Sequence, residues 1–546
     1  MGRIGDSGSN SRICGEERGH DAAFVEGFSM IIETDVLVIG AGIGGCCTAL
    51  TVADGGHNVL LTIRSADSLD CSTAHAQGGI IYRGENDSPD LLVKDILEAG
   101  AGICSEAAAR QLAEKGPPLV ESLLIERLGV PFARDPEGKF DITEEGAHSI
   151  PRILHVEDLT GRAIEEQLLE VVREHPRIKM IPQTTAVDLL TLSHHSKQRT
   201  DVYRLPTCMG AYLLNQQANQ VDICLARETV LATGGLGQIF LHTTNPPAAR
   251  GDGIAMAYRA GVRLINLEYV QFHPTTLFAG DASNFLISES VRGEGGVLVD
   301  DKGRQFMEKY HPRGSLAPRD VVARAIHEEM LAHRSPCVYL DITHKPADWT
   351  RERFPNIYRR CLEAGIDITK QPIPVVPAAH YSCGGVATDL RGRTSMERLW
   401  AVGEVACTGL HGGNRLASTS LLEGLVWGHE AGQAVSERLG GGSYYFPVVD
   451  EWKYEKEPVD PALIYQDWLT IRYTMWNYVG LVRSRRRLNR ARHILRELQI
   501  EIEEFYPRAA LTDDMLGLRN GVQTALAVMF AASENRESIG CHYRTD

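Results

Sequence analysis

The stretch DVLVIGAGIGGCCTALTVADGGHNVLLTIR, residues 35–64, decides the fold. Its apolar, β-branched residues 36–39 read as a buried strand. They run directly into Gly40-Ala41-Gly42-Ile43-Gly44-Gly45, and the small and apolar residues 46–53 read as the helix that follows. Residues 59–63 read as a second, parallel strand. Together they make a βαβ unit with G-x-G-x-x-G at its first turn, the arrangement that binds a dinucleotide. Gly40 permits the tight turn, Gly42 lets the backbone approach a pyrophosphate, and Gly45 lets helix and strand pack closely. The helix N-terminus adds free N–H groups and partial positive charge. Glycine spacing alone fits any Gly-rich turn; strand, helix and second strand around it favour the nucleotide. One detail departs from the nicotinamide pattern: Ile63-Arg64-Ser65 stands where a ribose-binding acid usually ends the second strand. A large cofactor gripped at several points along the chain, such as FAD, fits better than NAD.

A chain of 546 residues is too long for one core, so two or three domains are expected. A net charge of −15 argues against nucleic-acid or membrane-surface partners, and an anionic substrate would need positive charge concentrated in a pocket. No apolar run reaches the roughly 18–20 residues that span a bilayer. The 12 cysteines are scattered, without the spacing of a zinc or iron–sulfur site, so no metal centre is expected and the thiols read as reduced.

After the second strand comes Ser72-Thr73-Ala74-His75-Ala76-Gln77-Gly78-Gly79. Its small and hydroxyl residues suit backbone contact with a flat cofactor ring, or a plain surface loop. Helical patterns fill 90–128. Residues 144–162, with Glu145, His148, Arg152 and Arg162, form a loop dense in titratable groups, either functional or merely solvated, leading into a helix near 162–174. Residues 183–230 alternate as an antiparallel excursion, with strands at 187–192 and 210–215 and the polar residues 193–200 as a turn. Asp252 caps the helix at 254–260 or contacts a cofactor ribose. From about 264 the character changes, and Gln271, His273, Glu289, Arg292, Arg319 and His380 fall in what reads as a separate capping unit over a cleft. Residues 399–404 return to strand character with Glu404 at the end. Residues 414–424, with Arg415, Ser420 and Leu421, enter an apolar helix and make a candidate second anion site. In the tail Leu488, Ala491, Leu495, Leu498, Ile502 and Phe505 mark one apolar helix face, and Arg483 with 485–487 reads as a solvated face.

The fold class is therefore α/β. Residues 1–29 read as a disordered extension that is not a signal peptide. Residues 30–255 and 385–438 are the two parts of a Rossmann-like FAD-binding domain, 256–384 an inserted α+β capping domain, and 439–546 a C-terminal helical domain.

From about residue 34 to 543 these segments resemble the flavoprotein family of succinate dehydrogenase, fumarate reductase and L-aspartate oxidase. The resemblance implies FAD contacts at Gly40, Ala41, Gly42, Ile43, Gly44, Gly45, Arg64, Ser72 through Gly79, Asp252, Glu404, Ser420 and Leu421. It implies a dicarboxylate site at Gln271, His273, Arg319, His380 and Arg415, with Arg319 also as acid–base group and Glu289 and Arg292 as its proton relay. In dehydrogenase and reductase subunits a His five residues before the Gln of the A-Q-G-G loop carries covalent FAD. Ser72 stands there, and His75 is too close to Gln77 to match, so noncovalent FAD is expected. Glu145-Gly146-Ala147-His148-Ser149 with Arg152-Ile153-Leu154-His155 is similar to the EGGHS…RILH stretch of the L-aspartate oxidases, whose Glu is associated with the substrate amino group. The implied activity is hydride loss from C2 of L-aspartate to FAD, giving iminoaspartate, with reoxidation by oxygen or fumarate. It would be the first step of quinolinate and NAD synthesis, in the cytoplasm, with quinolinate synthase as a candidate partner and the oligomeric state left open. The alternative is a fumarate reductase or succinate dehydrogenase flavoprotein subunit. One departure lies near the end, where Glu537-Ser538-Ile539-Gly540 replaces the family's Glu-Ser-Arg-Gly.

Overall fold

Strand Ile31–Ile39 stands at the centre of a seven-stranded sheet, with Val59–Thr62 and then Ile178–Ile181 parallel on one side and Gln220–Leu231 parallel on the other. It starts earlier than its apolar run, because residues 31–34 pair with 223–226. Val36 and Val38 enter one apolar cluster and Leu37 and Ile39 another. A strand buried on both faces reads as a continuous apolar run rather than an alternating one. The computed structural model describes residues 30–157, 159–280, 285–441, 444–453 and 457–546; the extension expected over 1–29 lies outside them.

The antiparallel excursion consists of Thr184–Thr191 and Cys208–Asn215, which return into the first half of Gln220–Leu231. The turn read at 193–200 holds a short helix, Leu192–His195, and the start of a 3-10 turn, Arg199–Tyr203. The late strand Leu399–Ala401 pairs in parallel with 229–231, which brings Glu404 to the sheet's carboxyl edge.

Helix Ile43–Asp54 is held by helix Thr419–Leu439. Gly424, Gly428 and Gly432 recur at four-residue spacing on the second helix, so they share one face. A Cβ on Gly428 would stand 2.6 Å from the Gly44 carbonyl oxygen, and one on Gly432 would stand 2.5 Å from Thr51 Cβ. Thr48 seals the contact, its hydroxyl donating toward the carbonyls of Gly44 (2.8 Å) and Gly428 (3.0 Å). This glycine stripe fixes the first turn of the dinucleotide unit against the later half of the chain.

The segment between them builds a four-stranded antiparallel sheet in the order Val270–Leu277, Ile373–Ser382, Val338–Asp341, Val297–Val299, with helix Arg319–His333 against it. It has an apolar cluster of its own around Leu298, Ile326 and Leu340. The capping boundary read at 255/256 cuts helix Asp252–Arg259, whose Ile254 and Met256 belong to the main cluster. We propose moving that boundary past Arg259 and keeping those near 384 and 438.

Three helices close the chain: Pro461–Val479, Arg485–Phe505 and Asp513–Glu534. The stripe Leu488, Ala491, Leu495, Leu498, Ile502 is buried, with Phe505 only partly so. Arg483 corrects the reading of a solvated face: it is fully buried. It donates to the carbonyls of Glu268 (2.7 Å) and Val479 (2.9 Å) and lies against His542 Nδ1. Its charge ties the tail to the start of the cap, and burial pulls its pKa down to about 10. Ile539, at the position of the family's Arg, packs instead on Tyr269, Tyr381 and Cys383. Among the described residues no helix is long and apolar enough to cross a membrane.

Arg483→Ala strips donors from buried carbonyls. It should destabilise the holoenzyme by about 3 kcal/mol, read as a clear fall in Tm.

Candidate active site

A cavity of about 1020 Å³ lies between the carboxyl edge of the large sheet and the capping segment. That is the upper end of the roughly 300–1,000 Å³ typical of small-molecule sites, room for a dinucleotide and a small ligand together. Gly40 through Gly45, Arg64, Ser72 through Gly79, Asp252, Glu404, Ser420 and Leu421 all line it, as do Glu145, His273, Glu289, Arg319, His380 and Arg415. Gln271 and Arg292 do not.

The dinucleotide end fits its reading. Gly40 adopts φ +108°, and a Cβ there would lie 2.2 Å from the Ala232 carbonyl oxygen. A Cβ on Gly45 would lie 2.0 Å from the carbonyl oxygen of Gly40. Neither position admits any other residue, so the backbone itself forms the cradle. Gly42 occupies the N-cap of helix Ile43–Asp54 with no side chain to block the approach. Thr73 reaches in from the neighbouring loop, its hydroxyl accepting the Ile43 N–H at 3.1 Å. Glu404 is a partly buried carboxyl at the cavity wall that accepts the Ser382 N–H at 3.0 Å, and desolvation raises its pKa to about 7.

Asp252 does not cap its helix: Gly251 holds the N-cap position. The carboxylate instead accepts from Arg250 (3.0 Å) and from Asn520 Nδ2 (2.8 Å). Arg64 lines the cavity, but its guanidinium is paired with Asp513 at 2.9 Å. Arg250 joins the same carboxylate at 3.0 Å. Two segments of the dinucleotide site are thus latched to the first turn of the last helix.

At the other end Arg415 is buried, and among the described residues no carboxylate lies within ion-pair distance of it. Its Nη1 donates to Ser420 Oγ at 3.2 Å, its Nε has no partner among the described residues, and its guanidinium lies 4.7 Å from the centroid of the Tyr381 ring. Burial first, and the neighbouring charge of Arg319 second, lower its pKa. A buried cation in this state favours an incoming anion. Gln271 acts from behind, donating to the Arg415 carbonyl (2.9 Å) and to Asn414 Oδ1 (2.7 Å).

The Tyr381 ring is itself fixed. Its hydroxyl donates to Glu423 at 2.8 Å, and the same carboxylate takes His411 Nε2 at 2.8 Å and the Thr408 hydroxyl at 2.6 Å. Burial works against the Glu423 charge, but His411 and these donors outweigh it, and its pKa falls below the ordinary range. Sequence reasoning assigned none of these residues a role. A lone acid inside the apolar run around Glu423 was the available signal.

His273 and His380 stand with ring centroids 5.5 Å apart. Thr275 fixes the His273 ring at Nδ1, with its backbone nitrogen at 3.2 Å and its carbonyl oxygen at 3.1 Å. Thr244 Oγ1 holds His380 Nδ1 at 2.8 Å, a partner with no sequence signal. Burial, then nearby guanidinium charge, pushes both pKa values well below the ordinary imidazole value, so both rings are neutral.

Arg319 Nε donates to Glu289 Oε2 at 2.5 Å. Burial opposes the Arg319 charge, but Glu289 and then Glu145 outweigh it and raise its pKa. Burial likewise opposes the Glu289 charge, yet Arg319 and Arg292 hold that carboxyl down to about 2. Arg292 is fully buried behind the pair, 3.8 Å from Glu289 Oε1, with Nη1 donating to the Ser315 carbonyl at 2.8 Å.

Glu145 comes from the segment at 144–155, in which exposed residues alternate with buried anchors. Arg152 is fully buried between Asp95 (2.7 Å) and Asp87 (3.2 Å), and His148 bonds the Ala417 carbonyl at 3.0 Å. These anchors present Glu145 at the cavity wall, where its carboxylate accepts the Ser418 hydroxyl at 2.6 Å.

A family model described as "FAD binding domain" matches residues 35–421, and one described as "Fumarate reductase flavoprotein C-term" matches residues 469–546. L-aspartate oxidase 1 of Ralstonia nicotianae is 46% identical over 517 residues, covering 94% of this chain and 95% of the relative. The L-aspartate oxidase of Pseudomonas aeruginosa is 44% identical over 528 residues, with 94% and 95% covered. The chain belongs to the L-aspartate oxidase family. A solved structure of a mutant E. coli quinol fumarate reductase superposes with a TM-score of 0.83 at 27% identity, covering 95% of this chain and 92% of that one. As a member of this family the chain is an FAD-dependent oxidoreductase, and the glycine cradle fits that cofactor.

Ala147, where the oxidase branch carries the second Gly of EGGHS, has φ +71°, a left-handed conformation that costs an L-residue about 1 kcal/mol. Ala147→Gly should raise Tm slightly without loss of FAD. Gly45→Ala should abolish FAD retention, read as flavin absorbance lost from the protein peak on gel filtration.

Proposed function

We propose that this protein oxidises L-aspartate to iminoaspartate, the first step toward quinolinate and NAD. The reading rests on one arrangement: a carboxylate, Glu145, shares a cavity wall with Arg415, Arg319, His273 and His380. The cations and neutral imidazoles suit a dicarboxylate; a carboxylate among them suits a dicarboxylate that also carries an ammonium. Succinate and fumarate have no group for Glu145 to meet.

Arg415 grips one carboxylate, its planar donors suited to a bidentate contact. His380 and Ser420 flank it, and His273 meets a carboxylate oxygen from the cavity wall. Glu145 takes the ammonium and receives the proton that the nitrogen gives up as the C=N bond forms. These contacts fix the substrate's orientation, an effect worth several kcal/mol of the barrier. Bound FAD supplies the acceptor for the hydride that leaves C2. Arg319 keeps its proton, since its pKa is raised, and acts in the aspartate direction as a fixed positive charge. In the fumarate-reducing direction the same guanidinium is the proton donor, resupplied through Glu289 and Arg292. FAD is held without a covalent tether, because Ser72 occupies the place of the tethering His. Either oxygen or fumarate would serve as the acceptor that reoxidises bound flavin. Iminoaspartate is unstable in water, so quinolinate synthase in the same compartment, the cytoplasm, is the fitting consumer.

In an anaerobic absorbance titration L-aspartate should bleach the flavin while succinate leaves it oxidised; bleaching by succinate and not by aspartate would overturn the reading. Arg319→Leu should lose fumarate reduction by at least about a hundredfold while FAD stays bound. On a denaturing gel the protein band should show no flavin fluorescence.

A further inference from the structure

Ser418 stands at the N-cap of the long helix Thr419–Leu439, where a serine hydroxyl ordinarily accepts a backbone N–H of the helix's first turn. Here it makes no such bond. The residue is nine-tenths buried and sits in the left-handed region at φ +56°, a conformation unfavourable for a residue with a Cβ. Its hydroxyl makes two other bonds. It accepts the Gly79 N–H at 3.3 Å and lies 2.6 Å from Glu145 Oε2. The amide can only donate and the carboxylate can only accept, so the single hydroxyl proton is directed at Glu145. On its other side Glu145 is confined by Gly78, where a Cβ would lie 2.6 Å from Oε1.

We infer that Ser418 is a positioning residue for substrate choice: it holds the Glu145 carboxylate in the one orientation that receives an amino-dicarboxylate's ammonium, and ties that orientation to the backbone of the 72–79 cofactor loop. The helix gives up a cap and accepts a left-handed residue to make this bond. Oε2 accepts the hydroxyl proton on one of its acceptor sites, and Oε1, over Gly78, faces the ammonium with both of its own. A dicarboxylate without an amine does not use Glu145 and so depends less on Ser418. The inference rests on the reading of Glu145 given under Proposed function.

The test compares Ser418→Gly, Ser418→Asn, Glu145→Gln and the double variant Ser418→Gly/Glu145→Gln, all as holoenzymes. Gly is at home at this φ, and Asn tolerates it while restoring a donor. For Ser418→Gly, kcat/KM with L-aspartate should fall about tenfold relative to kcat/KM for fumarate reduction, mostly through KM, the size expected for loss of a hydrogen bond to a charged group. Ser418→Asn should recover part of that ratio. The double variant should be no worse than Glu145→Gln alone. In calorimetric titrations the Kd for succinate should shift far less than the aspartate KM. An equal fall for aspartate and fumarate, or no change in either, would overturn the positioning role. If Glu145→Gln itself leaves the ratio unmoved, the ammonium reading of Glu145 fails; if Glu145→Gln moves it and Ser418→Gly does not, only the role of Ser418 fails.

Discussion

A buried guanidinium without a counter-ion organises the chemistry of this molecule. Arg415 has given up water, and no carboxylate within ion-pair distance among the described residues repays it. Taking a charge out of water costs several kcal/mol even after relaxation. The fold accepts that cost by surrounding the cation with weaker partners: the face of Tyr381, the hydroxyl of Ser420, and a backbone braced by Gln271. Each partner stabilises the charge without neutralising it, so an arriving carboxylate finds its strongest contact still open.

The rest of the cavity obeys the same constraint. More fixed cations near Arg415 would make its burial untenable, and the neighbouring side chains avoid that. Both histidines are held neutral by burial and by the guanidiniums beside them. Arg319 is charged but is matched by Glu289. In a protein of net charge −15 the cavity thus gathers fixed positive charge where a doubly negative ligand must sit. Below the site, Tyr381, Glu423, His411 and Thr408 form a buried polar network in which each group is satisfied, the condition under which such a network rigidifies a structure. It holds the ring on which Arg415 rests.

Two long-range devices align the cofactor end with the substrate end. The glycine stripe at 424, 428 and 432 lets the later half of the chain dock on the first helix at backbone contact. Asp513 gathers Arg64 and Arg250, so the last helix is latched to two segments of the dinucleotide site. The tail is part of the same construction: Arg483 donates to the carbonyl of Glu268, at the edge of the capping segment, and Ile539 packs under Tyr381. Substitution of the family's Arg by Ile at 539 is thereby accommodated in an apolar contact.

The residues of 35–64 determined a parallel βαβ unit by themselves, because strand burial, helix start and glycine placement are local properties read within thirty positions. The apolar stripe of the tail was legible for the same reason, since a repeat of three and four is a property of one helix. What contact order hides was decided only by the tertiary structure. An Arg in sequence looks the same whether it faces water or a carbonyl, so Arg483 read as part of a solvated face and Arg152 as either functional or solvated, and both are fully buried. Asp252 read as either a helix cap or a ribose contact; Gly251 holds the cap position, and Arg250 and Asn520 hold the carboxylate. Gln271 looked like a wall of the site, and it braces Arg415 from outside. Whether a polar group meets ligand, solvent or another side chain depends on partners hundreds of residues away, and no local pattern carries that information.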